Sequence, residues 1–127
     1  MPLVKIEIVE GVDRQSLLKI KEVVMNAVVE SLLLPLDDRN IRLSEYKSDF
    51  FEMKKPYEML VEITLFLGRT KETKRKLFLN VVNSLESNGL MTKEKVFIVL
   101  NEQPLENWGV RGGIPADEIK MNFKVDL

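Results

Sequence analysis

The chain has 127 residues, 45% of them hydrophobic, and its 19 basic and 20 acidic side chains leave a formal net charge of -1. That length suits one domain with a real core, and its high surface-to-volume ratio favours oligomerisation. The balanced charge offers no footprint for a nucleic-acid backbone or an anionic membrane. With neither cysteine nor histidine in the sequence, disulfides, thiolate metal sites, cysteine nucleophiles and the commonest general base are excluded.

The start, Met1-Pro2-Leu3-Val4-Lys5, lacks the layout of a signal peptide, and no apolar run approaches the roughly 18 residues of a membrane span. A cytoplasmic protein without nucleic-acid or membrane partners is expected. Val4, Ile6 and Ile8 alternate with Lys5 and Glu7, which predicts an amphipathic strand closed by Gly11, with Asp13 as the N-cap of a helix. Leu17, Ile20, Val24 and Val28 then recur at helical spacing, and Pro35 marks the end of that segment. A second strand is predicted over Ile41, Leu43 and Glu45, followed by a polar arm from Lys47 to Pro56.

The pattern repeats at an offset of about 57 residues, where Val4, Ile6, Ile8 and Gly11 fall on Val61, Ile63, Leu65 and Gly68. A helix from Thr70, carrying Leu77, Phe78, Val81, Val82 and Leu85, ends at Asn88-Gly89 and leads into the run Val96 to Leu100. Helical length between strands makes each unit a βαβ crossover with parallel strands. Two units, about 2–46 and 57–101, give an α+β fold: a four-stranded mixed sheet with two helices on one face. An apolar opposite face would be covered by copies of the chain in a closed homo-oligomer. The tail, 107–127, predicts a glycine-rich turn and then a terminal strand through Ile119, Met121, Phe123 and Val125 that could pair with a neighbour.

Four stretches carry a resemblance: Pro2-Leu3-Val4-Lys5 with Glu10-Gly11, Pro35-Leu36-Asp37-Asp38-Arg39, Gly68-Arg69-Thr70-Lys71-Glu72, and Asn107-Trp108-Gly109-Val110-Arg111-Gly112-Gly113. In this order they resemble the tautomerase superfamily, which includes 4-oxalocrotonate tautomerase and malonate semialdehyde decarboxylase. The resemblance spans nearly the whole chain. It implies a duplicated β-α-β fold, a homotrimer, and chemistry without a cofactor or metal.

It also implies roles for particular residues. Pro2, exposed by removal of the initiator methionine, is a secondary amine whose pKa of roughly 8 an apolar pocket would lower toward neutrality. A base poised there suits proton transfer alpha to a carbonyl. Arg69 matches the arginine after the third strand and can hold a substrate carboxylate in a bidentate manner. Lys71 stands where the decarboxylase has a second arginine, keeping the charge without the fork. Asp38 matches the carboxylate that orients water or substrate, or else is a loop acid paired with Arg39. Arg42 is a secondary candidate for substrate binding. Trp108 forms an apolar wall beside the proline or packs in the core, and Arg111 points either to solvent or into the pocket.

The leading function is keto-enol 1,3-proton transfer on small carboxylate-bearing enols, such as 2-hydroxydienoates or phenylenolpyruvate, with Pro2 as the base. The alternatives are decarboxylation or hydration of a 3-oxo or acetylenic acid, as in malonate semialdehyde decarboxylase, and a trimeric binding or signalling protein resembling macrophage migration inhibitory factor.

Overall fold

Strand β1 (Leu3–Val9) buries Val4, Ile6 and Ile8 completely while Leu3, Lys5 and Glu7 point the other way, the alternation that a half-buried strand requires. In the computed structural model, which describes residues 1–126, β1 leads into helix α1 (Arg14–Ser31) and then β2 (Ile41–Tyr46). The second unit comprises β3 (Met59–Phe66), α2 (Lys71–Ser87) and β4 (Val96–Gln103). Side chains fix both helix starts, with the Asp13 carboxylate accepting from the Ser16 amide at 3.0 Å and the Thr70 hydroxyl from the Thr73 amide at 3.2 Å.

The strand order is β2-β1-β3-β4, with β1 parallel to β2, β3 parallel to β4, and the two units joined by antiparallel β1 and β3. Lys5 lies opposite Glu62, its own counterpart at the offset of about 57 residues, so a local pseudo-twofold axis passes between them. Ile20, Val24 and Val28 of α1 and Leu77, Val81 and Leu85 of α2 share one core with Val4, Ile6, Ile8, Met59, Val61, Ile63 and Leu65. Asn80 ties the helices together, donating to the Ala27 carbonyl at 3.3 Å and the Ser31 hydroxyl at 2.9 Å.

Ile6 faces Val61 at the centre of this core, and both are fully buried. Ile6→Ala should therefore cost about 2–5 kcal/mol, the usual range for emptying a rigid site. Urea denaturation reads the loss, and a change below about 1 kcal/mol would mean that the helices collapse into the space.

The helix-free face is mixed, not apolar as expected. Leu3, Phe97 and Val99 are exposed on it, but Lys5, Glu7, Arg42 and Glu62 occupy its middle and the Tyr46 hydroxyl donates to Glu7. Past β4 the chain forms a hairpin of β5 (Gly109–Val110) and β6 (Ile114–Pro115), turning through Arg111, Gly112 and Gly113, all with positive φ. The terminal strand expected at Ile119 to Val125 does not form among the described residues. A strand needs a partner along its length. This segment instead crosses the end of β3, and its apolar side chains pack singly. Phe123 stacks on Phe66 with ring centroids 6.1 Å apart, and the Val125 carbonyl passes so close to Gly68 that an added Cβ would lie 2.8 Å from it. Leu127 lies outside the described residues. No described helix is long and apolar enough to cross a membrane.

Candidate active site

The parallel pairing of β1 with β2 sets the start of the chain against the loop after α1, where the Val4 amide donates to the Asn40 carbonyl at 2.8 Å. That loop turns tightly, with the Asp38 amide donating to the Pro35 carbonyl at 3.0 Å and the Arg39 amide to the Asp37 carbonyl at 2.9 Å. The turn directs neighbouring side chains apart. Arg39 reaches α1, binding Glu22 at 3.1 Å and Asn26 at 2.8 Å. Asp38, free of Arg39, pairs instead with the α-ammonium of Met1 at 3.2 Å. Pro2 is buried immediately behind it.

Arg69 enters from the other unit, between β3 and the Thr70 cap of α2, and is only 6% exposed. One guanidinium nitrogen, Nη1, donates to the Phe66 carbonyl at 3.2 Å, while Nε and Nη2 are buried without a partner. Burial pushes the Arg69 pKa down, opposed by the Glu102 and Asp38 carboxylates. The Met1 amine is likewise held below its ordinary 8.0, first by burial and further by Arg69, with Asp38 pulling it back up. Amine, carboxylate and guanidinium thus act on one another at one end of the sheet.

A cleft of about 280 Å³ opens beside the amine, lined by Met1, Pro35, Asp37, Asp38, Val110, Arg111 and Asn122. Trp108 is half-buried against the edge of Phe66, with ring centroids 4.8 Å apart, and its indole N–H reaches the Gln103 carbonyl at 3.4 Å.

The structure therefore brings Pro2, Asp38 and Arg69 together, with Arg111 directed to the cleft. Lys71 is exposed at the first position of α2, two residues beyond Arg69. Arg42 does not join the cluster. Its register beside Lys5 puts it on the helix-free face, because side chains alternate along β2 and Ile41 takes the inward position. Two residues tied to Arg69 were not among the sequence candidates, Glu102 and Lys74. Glu102 bonds Lys74 at 2.6 Å and acts on Arg69. The available signal was an acid at the inward position that follows Ile98 and Leu100, had β4 been extended past Leu100.

A family model described as a tautomerase enzyme matches residues 31–111. The chain belongs to the tautomerase family. It is 28% identical over 121 residues to a probable tautomerase, YusQ, of Bacillus subtilis strain 168, a match covering 89% of this chain and 95% of the relative. A fused 4-OT solved as a symmetric trimer is 26% identical, with a TM-score of 0.81 over 91% of this chain and 96% of that one. FG41 malonate semialdehyde decarboxylase, solved with the inhibitor 3-bromopropiolate, superposes with a TM-score of 0.82 at 23% identity, over 94% and 98% of the two chains. That likeness establishes the tautomerase fold, and family membership establishes an enzyme of tautomerase type.

Proposed function

We propose that this tautomerase moves a proton between carbon and oxygen of small carboxylate-bearing enols, with the amine of Pro2 as the base. Removal of Met1 frees that amine beside Asp38 and Arg69. It accepts the enol hydroxyl proton as the carbonyl forms, and the protonated amine then delivers the proton to the carbon that the shifting double bond makes nucleophilic. Arg69 holds the substrate carboxylate, Lys71 adds positive charge at the entrance, and Trp108 backs the apolar wall. No cofactor or metal takes part. The observation that carries this reading is the buried Arg69 guanidinium, two of its nitrogens unpartnered, which acts on the desolvated amine of Met1 directly ahead of Pro2. Ketonisation of phenylenolpyruvate by the Met1-processed protein is the direct assay.

Decarboxylation or hydration of a 3-oxo or acetylenic acid is the second reading, favoured by the 3.2 Å approach of Asp38 to the α-nitrogen of Met1, one residue ahead of Pro2. There Pro2 is protonated and Asp38 orients water or substrate. Release of acetaldehyde from malonate semialdehyde, lost in Asp38→Asn, distinguishes it. In either case we propose that the single-domain chain works as a homotrimer, with the helix-free face against its copies. Light scattering after size exclusion measures that assembly.

The sign of the pH response follows from the amine's surroundings. A base works only when unprotonated, so kcat/KM for ketonisation should fall as pH drops through the pKa of the Pro2 amine. Burial holds the Met1 amine one residue ahead below its ordinary value, and the buried Pro2 amine should have its midpoint lowered in the same direction. Asp38 opposes that depression at the Met1 amine, and Asp38→Asn should move the midpoint further down if Asp38 takes up the same contact with the processed terminus. An upward shift in that variant would contradict Asp38 as the amine's partner.

A further inference from the structure

Glu102 lies at an inward position near the end of β4, paired with Leu65, one residue before the Phe66 carbonyl on which Arg69 rests. Its carboxylate is held at one oxygen only. Lys74, in the first turn of α2, binds Oε1 at 2.6 Å, while Oε2 is buried with no partner. Among the described side chains, the other buried atoms left without partners are Nε and Nη2 of Arg69. Glu102 is also the carboxylate that acts most strongly on that guanidinium, ahead of Asp38.

A buried acceptor and two buried donors of opposite charge thus flank the same end of β3, yet they form no salt bridge. Leaving such groups unsatisfied is costly unless something else completes them. Water could complete either group alone. A ligand that offers a carboxylate with a hydroxyl on the adjacent carbon completes both at once, its oxygens accepting from the arginine fork and its hydroxyl donating to Glu102. Lys74 keeps Oε1 occupied and so leaves Oε2 for this purpose.

We propose that Glu102 is a specificity-determining residue of this site, accepting a hydrogen bond from a hydroxyl next to the carboxylate that Arg69 grips. The inference rests on Arg69 as the carboxylate anchor. It sets the site's preference for 2-hydroxy acids over acids without the hydroxyl, since a site with a charged acceptor penalises a ligand that leaves it unpaired. An enol bound in this way turns its hydroxyl from Glu102 to Pro2 before the proton moves.

Two unreactive probes separate the contributions: 3-phenyllactate, which carries the hydroxyl, and 3-phenylpropionate, which lacks it. Binding to the Met1-processed protein is read by calorimetry and by fluorescence of Trp108, the only tryptophan. Phenyllactate should bind at least about tenfold more tightly, in line with a hydrogen bond to a charged group. Glu102→Ala should erase the difference by weakening phenyllactate while phenylpropionate binds no less tightly, and Glu102→Gln, isosteric and neutral, should reduce it at least about threefold. Equal binding of both probes by the unsubstituted protein overturns the inference, as does a preference that survives both substitutions. Parallel loss of both probes in Glu102→Ala also overturns it, because Glu102 would then serve only to hold Arg69. Arg69→Met should lose both probes. If it retains them, the anchor reading falls and this inference with it, whereas loss in Arg69→Met beside equal binding in the unsubstituted protein rejects Glu102 alone.

Discussion

Pro2→Ala should lower kcat/KM for ketonisation of phenylenolpyruvate by about 10²–10⁴, the range that a positioned general base contributes. The fold should survive, since residue 2 precedes β1 and contributes no side chain to the central core. Far-UV circular dichroism checks that. Alanine at the processed terminus still supplies an amine, but a primary one with more freedom to move, so a residue of activity is expected. Protein that retains Met1 should be as impaired as the variant, for two reasons. The Pro2 nitrogen is then a tertiary amide with no basic lone pair, and Met1 both lines the cleft and binds Asp38. Mass spectrometry of each preparation, matched to its rate, tests the correlation. Equal rates for the processed protein with and without the Pro2→Ala substitution would remove the proline from the chemistry.

Arg69→Met should divide function from stability. Losing two hydrogen bonds from a charged donor to a carboxylate, at about 1.5–3 kcal/mol each, predicts a fall in kcat/KM of at least about a hundredfold, most of it in KM. Thermal stability should not fall. In the free enzyme Arg69 buries two N–H groups without partners, a standing cost that methionine removes while filling similar volume. A melting temperature unchanged or raised, together with a lost substrate affinity, marks a residue kept for binding at the expense of the fold. A sharply lowered melting temperature would make Arg69 a structural counter-ion of Asp38 and Glu102.

The fold was legible because its signals are local. Alternation in Val4, Ile6 and Ile8, helical spacing from Leu17 to Val28, and their recurrence from Val61 mark two βαβ units in the sequence itself, and Asp13 and Thr70 mark both helix starts. What escaped depends on where segments come to lie. The alternation of Ile119 to Val125 is genuine, but periodicity cannot say whether an edge lies alongside, and here Phe123 stacks on Phe66 instead. The site divides in the same way. Pro2, Asp38 and Arg69 sit in recognisable stretches, whereas Glu102 matters only through its nearness to Arg69 and Lys74. Arg42 stands apart from the cluster within one chain because strand register puts it on the helix-free face.

The pairing of Lys5 with Glu62 implies that the molecule has two equivalent ends but only one place where a chain can begin. At the offset of about 57 residues Pro2 corresponds to Met59, and Arg69 to Val12. Met59 lies inside a continuous backbone and is completely buried. The second half therefore has no free terminus at the matching position, which a buried hydrophobic side chain fills. Cutting the chain in the 47–58 connection and starting the second fragment with proline in place of Met59 would create an amine at that end, but with Val12 where the first end has Arg69 and Lys95 where it has Asp38, it would stand without the guanidinium and the carboxylate.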